Sequence, residues 1–155
     1  MAHRIVADEA DRADLIRLFE GLSLPFTVEW SAGRDRSLEQ NRLQFQWARE
    51  AADQRGDVTP DEVRRDWKLR HGVPILREAS ASFRETYDRV LRPLPFEDKL
   101  RAMSLVEVSS LMTVRQMVQY LDTVQRECAE QGIRLTDPDP DLASYHSRYR
   151  RKEAA

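Results

Sequence analysis

Arginines cluster around one predicted helix in the first third of the chain, where they could bind phosphate. Ser37 and Gln40 have the spacing of a capping box, which predicts a helix that starts at Leu38 and ends near Gly56. Guanidinium groups bind phosphate oxygens, so cations at the start and on the outer face of such a helix are typical of nucleic-acid binding. The candidate DNA-binding arginines of this stretch are Arg34, Arg36, Arg42 and Arg49.

The end of the chain carries a second group of cations. Residues 146–152 read His-Ser-Arg-Tyr-Arg-Arg-Lys with no acidic residue, and two tyrosines, Tyr145 and Tyr149, lie among the cations. Such a local patch can bind phosphate although the formal net charge of the chain is -2, a value that by itself argues against a nucleic-acid binder. The candidate DNA-binding residues of this tail are Arg148, Arg150, Arg151 and Lys152.

The same residues also have purely structural explanations. Arg42 could pair with Glu39, and Arg49 with Asp53, as ordinary surface ion pairs along a helix. Phe45 falls within the apolar arc of the predicted helix, which is more typical of a core residue than of a stacking platform. The tail could be a disordered chain end. Residue types alone therefore leave nucleic-acid binding as one of several interpretations.

Residues that could support metal binding or catalysis are poorly arranged. Asp137, Asp139 and Asp141 lack the central glycine and the distal glutamate of a calcium loop, and the histidines are scattered. Cys128 lies on the apolar stripe of a predicted helix, where cysteine behaves as a small hydrophobic residue. No nucleophile motif or phosphate-binding loop is present. We therefore predict a protein that is not an enzyme and that holds no metal and no cofactor.

The elements that would position these residues predict an α+β fold. Residues 3–7 and 26–30 have strand-like composition and flank a helix that Asp8 can cap, so a small N-terminal β-sheet with a crossover helix is expected. Capping boxes at Thr59–Glu62 and Thr113–Gln116 predict further helices of a mainly helical body.

Length and composition favour one domain. The chain has 155 residues, of which 41% are hydrophobic and 34% charged. We predict a single domain over residues 1–141, followed by a C-terminal basic arm or helix over residues 142–155. No apolar run approaches the ~20 residues that cross a bilayer, and residues 1–8 lack the apolar core of a secretory signal. One cysteine fits a reducing compartment, so a cytoplasmic location is expected.

The run Arg36-Ser37-Leu38-Glu39-Gln40-Asn41-Arg42 resembles the Arg-Ser-Leu-(Asp/Glu)-Gln-Asn-Arg signature of the NinB family of phage and prophage recombination proteins. The resemblance continues, mainly as pattern, over roughly residues 34–138. It implies a homodimeric recombination mediator of a bacterial host. Such a protein binds single-stranded or gapped DNA, contacts the single-strand-binding protein, and assists recombinase loading on DNA coated by that protein.

The resemblance also implies roles for individual residues of this chain. The resemblance implies DNA or partner contacts for Gln40 and for Phe45, the latter at an aromatic position of the family. The segment Ser109-Ser110-Leu111-Met112 matches a later Ser/Thr-rich stretch. Leu111 departs from the phage lambda member, which has an arginine linked to DNA binding there, and this puts that contact in doubt. Two alternatives remain: a protein-interaction adaptor of a phage or prophage that does not bind DNA, and a nuclease with an unrecognised acidic site.

Overall fold

The structure is a computed structural model that describes residues 4, 6, 8–30 and 36–154, without the side chains of residues 36–38 and 151–154. No helix in these ranges has the length and apolar character needed to cross a membrane. The described residues form eight α-helices: α1 Glu9–Gly21, α2 Arg36–Arg55, α3 Pro60–Trp67, α4 Val73–Ala79, α5 Ala81–Val90, α6 Phe96–Ala102, α7 Val114–Glu130 and α8 Pro140–Ala154.

The predicted α+β class is wrong, because the described residues contain helices and no β-strand. Residues 26–30 are irregular, and of residues 3–7 only 4 and 6 are described, neither in a strand. A strand needs a neighbour that offers its backbone N–H and C=O groups. No described segment supplies one, so the alternating pattern that ends at Trp30 is not realised as a sheet, and Trp30 is 84% exposed.

The chain divides into two compact units, Met1–Asp35 and Arg36–Ala155. In the first unit, α1 begins after Asp8, whose carboxylate accepts a hydrogen bond from the Asp11 N–H at 2.9 Å, as the cap prediction requires. The rings of Phe19 and Phe26 lie 5.6 Å apart. No residue of α1 is buried.

The second unit contains two apolar clusters. The larger one is formed by α2, α3, α7 and α8, and it buries Trp47, Tyr120 and Leu121. The smaller cluster joins the α4–α6 region to the chain before α7 and buries Leu69, Val73, Leu76, Tyr87, Met103 and Val108. Both capping boxes outside α2 are confirmed, since Thr59 with Glu62 and Thr113 with Gln116 make both reciprocal hydrogen bonds.

A π-helical turn, Lys68–Gly72, joins α3 to α4 in one continuous helical path. Pro74 has no N–H to donate to the carbonyl four residues back, so regular α-helical bonding is interrupted there. The Val73 N–H instead donates to the carbonyl of Lys68, which widens the turn. Gly72 fits closely against the neighbouring chain, because a Cβ at this position would lie 2.7 Å from Val108 Cγ1.

The chain after α7 runs along α2 and is held there by side chains. The indole N–H of Trp47 donates to the Thr136 carbonyl at 2.7 Å, and Glu50 accepts the Thr136 N–H at 2.8 Å. Gln54 donates to the Arg134 carbonyl at 2.6 Å and accepts the Arg134 N–H at 2.8 Å. These side chains satisfy backbone groups of an irregular segment as a neighbouring strand would, and they attach the chain leading to α8 onto α2.

Candidate nucleic-acid interface

The outer face of α2 presents Arg42, Phe45 and Arg49, which are three and four residues apart and all exposed. Neither arginine belongs to an ion pair among the described side chains, so the alternative in which Arg42 pairs with Glu39 and Arg49 with Asp53 is not realised there. The two guanidinium groups are therefore available to an external anion. The core of the unit lies on the opposite side of α2, where Leu43, Gln44, Trp47, Ala48 and Ala51 are buried.

An arginine of α3 extends this face. The guanidinium carbon of Arg64 lies 3.8 Å from the centre of the Phe45 ring, and 37% of Phe45 is exposed. Arg64 also donates to Asp61 at 3.3 Å, which is a long contact to a largely exposed carboxylate. We call the set Arg42, Phe45, Arg49 and Arg64 the α2 outer face. It combines three cations with one partly accessible aromatic ring.

Gln40 points away from this face. It is 2% exposed, and its amide nitrogen lies 3.0 Å from the ring nitrogen Nε2 of His146 on α8. The next turn repeats the arrangement, because the hydroxyl of Tyr120 on α7 donates to the side-chain carbonyl of Gln44 at 3.3 Å. The structure thus places Gln40 in a buried polar layer between three helices. The four-residue spacing of Gln40 and Gln44 is the signal in the sequence that could have predicted this layer, but the layer was not among the predictions.

The basic tail forms α8, and its cations have different surroundings. Arg148 is exposed and has no ion pair among the described side chains. Arg150 makes two hydrogen bonds to Asp122 of α7, with Nε to Oδ2 at 2.7 Å, and these bonds raise the pKa of Arg150. Tyr145 and Tyr149 contact each other edge to face, with ring centres 5.2 Å apart.

Several predicted site residues have no described side chain. Arg34 lies outside the described residues, and Arg36, Arg151 and Lys152 lie in helices whose side chains are not described there. The structure therefore brings Arg42, Phe45 and Arg49 together and adds Arg64. Among the described contacts, none joins Arg148 to this set.

The Ser/Thr-rich segment lies near the π-helical turn. Ser109–Leu111 form a short 3-10 turn, and Leu111 is 58% exposed. Met112 packs against both apolar clusters, and its Cε would lie 3.3 Å from a Cβ at Gly72. The segment thus supports the packing of α3–α4 against α7.

A cleft of about 1030 Å³ lies on the other side of α3, and its charges are largely paired within the protein. Arg70 binds Asp66 and Glu127, and Glu62 caps α3. No group of His, Cys, Asp and Glu within the described ranges is arranged to hold a metal ion. The cleft is lined by Gln54, Arg55, Val58, Glu62, Arg65, Asp66, Arg70, Glu97, Leu100, Arg101, Gln131, Gly132 and Ile133.

No family model, curated protein or solved structure matches this chain in the comparisons.

Proposed function

We propose that the protein binds single-stranded or gapped DNA and acts, as its resemblance to the NinB family implies, as a non-enzymatic recombination mediator in the bacterial cytoplasm. In this role it would assist recombinase loading on DNA coated by the single-strand-binding protein. The observation that supports the proposal is the α2 outer face, where Arg42 and Arg49 are exposed and unpaired among the described side chains and Phe45 lies between them.

The dimensions of this face suit a single strand. Arg42 and Arg49 are separated by about 10 Å along the helix axis, at 1.5 Å per residue. A stacked strand advances about 3.4 Å per nucleotide, so the two guanidinium groups would reach phosphates about three nucleotides apart. A base released from its partner could then stack on the part of the Phe45 ring that the Arg64 guanidinium leaves exposed, which a paired base cannot do.

Titration of fluorescent single-stranded and duplex oligonucleotides at several salt concentrations tests the cationic part of the proposal. The double substitution Arg42→Gln with Arg49→Gln should weaken binding and reduce the slope of log K against log salt by about 1.4, because each lost phosphate contact removes about 0.7 on a single strand. Arg115→Gln with Arg126→Gln is a matched control, since both arginines are exposed on one face of α7. Absence of binding by the wild type at low salt, or an equal loss in the control, would contradict the proposal.

Substitution of the aromatic ring tests the preference for single strands. Phe45→Leu should cost about 1–3 kcal/mol of binding free energy on single-stranded DNA and much less on duplex, because only the unpaired base loses its stacking partner. Phe96→Leu is the control, since Phe96 is also exposed and lies on α6. Equal losses on both DNA forms would exclude a stacking role.

A second candidate function is the protein-interaction adaptor, and exposed apolar residues favour it. Val90, Leu94, Phe96, Leu105 and Leu111 are all exposed between α5 and α7. An adaptor would retain the single-strand-binding protein or a phage component at high salt, where DNA contacts of a mediator are lost. Light scattering at micromolar concentration tests the homodimer that the resemblance implies for either function.

A further inference from the structure

The guanidinium of Arg64 on α3 lies over the ring of Phe45 on α2. Its central carbon is 3.8 Å from the ring centre, which is an ordinary van der Waals separation between carbon atoms. No N–H group fits between the two at this distance, so the guanidinium plane lies along the face of the ring. A planar group has two faces. Phe45 uses one face of the Arg64 guanidinium, and the other face is directed away from the ring.

The guanidinium of Arg64 reaches the solvent at its outer end. Its Nε is buried, whereas its terminal nitrogen Nη1 makes an exposed contact with Asp61. The side chain as a whole is 18% exposed, and Phe45 beneath it is 37% exposed. Cation and ring together therefore present a flat, partly accessible surface on the α2 outer face.

Internal partners hold Arg64 only weakly. Among the described residues its Nε has no hydrogen-bond partner, and its contact with Asp61 is 3.3 Å long to a carboxylate that is 78% exposed. An exposed pair of this kind contributes little to stability. Arg70, farther along the same helical path, is held by hydrogen bonds to both Asp66 and Glu127. The ring therefore positions the guanidinium of Arg64, and its charge is not neutralised by a firm internal pair.

We propose that the outer face of the Arg64 guanidinium is the surface on which an unpaired base of single-stranded DNA stacks, with Phe45 supporting it from below. Guanidinium planes stack on aromatic rings and are more weakly hydrated than ammonium groups. A plane that already lies on a ring loses little freedom when a base covers its second face. The inference rests on the proposed function, and it assigns Arg64 a contact with a base, while Arg42 and Arg49 contact phosphates.

Such a surface selects DNA strands by how easily their bases leave the stack. Preferences of proteins that bind single strands by stacking follow from stacking strength and backbone flexibility. Adenines stack on one another more strongly than thymines do, so an adenine must give up more to reach Arg64. A thymine tract should therefore bind more tightly than an adenine tract of equal length, and a duplex should gain nothing from Arg64 beyond its charge.

Arg64→Lys separates the plane of the side chain from its charge. Lysine keeps the positive charge but has no planar group to stack. Fluorescence titration with a thymine oligonucleotide should show binding that is about fivefold to thirtyfold weaker, with an unchanged slope of log K against log salt. Arg65→Lys, at the next position of α3, where the side chain lines the cleft, is the matched control and should bind like the wild type. Full affinity in Arg64→Lys would overturn the proposal, because any cation would then suffice.

An oligonucleotide of the same length with abasic sites in place of its bases tests the wild type itself, so the result does not depend on how a variant folds. It keeps every phosphate, and the contacts of Arg42 and Arg49 with it are retained. The wild type should bind it more weakly than the thymine oligonucleotide, and Arg64→Lys should cause little further loss on it.

The outcomes separate the stacking surface from the proposed function. Equal affinity of the wild type for the thymine and abasic oligonucleotides, or an equal loss in Arg64→Lys on both, would overturn stacking on Arg64 and leave DNA binding by the arginines of α2 intact. Absence of binding to either oligonucleotide at low salt would contradict the proposed function, and the inference that rests on it would fail as well.

Discussion

Gln40 and Phe45 belong to the same helix and to the same stretch of sequence, yet burial separates their roles. Gln40 is 2% exposed and joins α2 to α8 through His146, whereas Phe45 is exposed between two arginines. A polar residue that hydrogen-bonds inside a helix bundle specifies which faces meet. Gln40 therefore acts on the stability of the second unit, and Arg42, Phe45 and Arg49 remain as the candidate DNA contacts of α2.

Gln40→Ala should lower the free energy of unfolding by about 1–3 kcal/mol, because His146 loses a buried partner and the layer loses packing. Urea denaturation measures the change. Asn41→Ala, at the exposed neighbouring position, should stay within about 0.5 kcal/mol of the wild type. If Gln40→Ala left the free energy of unfolding unchanged but weakened DNA binding, the result would support the direct DNA contact that the family resemblance implies for Gln40.

Glu127 should make stability depend on pH. Burial alone would raise the pKa of Glu127, but hydrogen bonds from Arg70 and His71 outweigh burial and lower it from 4.5. Its contribution is therefore complete above pH 4.5 and is lost as the pH falls through the lower pKa of the folded state. Glu127→Gln should unfold more easily at pH 7 by about 1–3 kcal/mol, and the difference should shrink in acid. Glu130→Gln changes an exposed residue of the same helix. In urea titrations its difference in unfolding free energy from the wild type should not depend on pH in this way.

The sequence predicted which arginines of α2 are exposed, but it did not predict the contacts that other helices make with α2. Arg42 and Arg49 were placed on the outer face by their seven-residue spacing, and the structure confirms that they are exposed there. The stacking of Arg64 on Phe45 and the Gln40–His146 contact join residues far apart in the chain. Helical periodicity describes one helix at a time. It therefore does not indicate which residues of another helix a given side chain contacts.

The π-helical turn packs closely against Val108 at Gly72, where a side chain is missing. Gly72→Ala would gain about 1 kcal/mol of helix propensity. The new Cβ would lie 2.7 Å from Cγ1 of Val108, a fully buried side chain, so we expect a net loss of about 1–3 kcal/mol. Adding Val108→Ala removes the clashing atom, and the double variant should lose less than the sum of the two single losses in thermal denaturation. Strict additivity would show that the contact is not the cause.

Local signals in the sequence predicted the starts of α3 and α7 correctly, but they placed the start of α2 at Leu38 instead of Arg36 and predicted the N-terminal sheet wrongly. A capping box needs only residues three apart, and both Thr59 and Thr113 form theirs. A strand needs a distant partner, which composition cannot supply, and residues 26–30 have none among the described segments. In the segment that ends at Thr136, by contrast, side chains of α2 make the hydrogen bonds to the backbone that a neighbouring strand would otherwise make.

At the scale of the whole molecule, the two units differ in what they bury. All buried members of both apolar clusters lie between Leu43 and Leu142, within the unit Arg36–Ala155. A chain restricted to residues 36–155 should therefore unfold in a single cooperative transition, which circular dichroism can follow. A gradual transition would mean that the second unit needs residues 1–35 for its fold.

The burial of Cys128 provides a reporter for such measurements. It is the single cysteine of the chain, it is 1% exposed, and burial, reinforced by the charge of Glu127, raises its pKa to about 11. At pH 8 the sulfur is neither ionised nor accessible, so iodoacetamide reacts with it only while α7 is transiently detached. The alkylation rate therefore reports how often those openings occur. An oligonucleotide or salt that stabilises the helix bundle will slow the reaction, and the measurement needs no dye or tag.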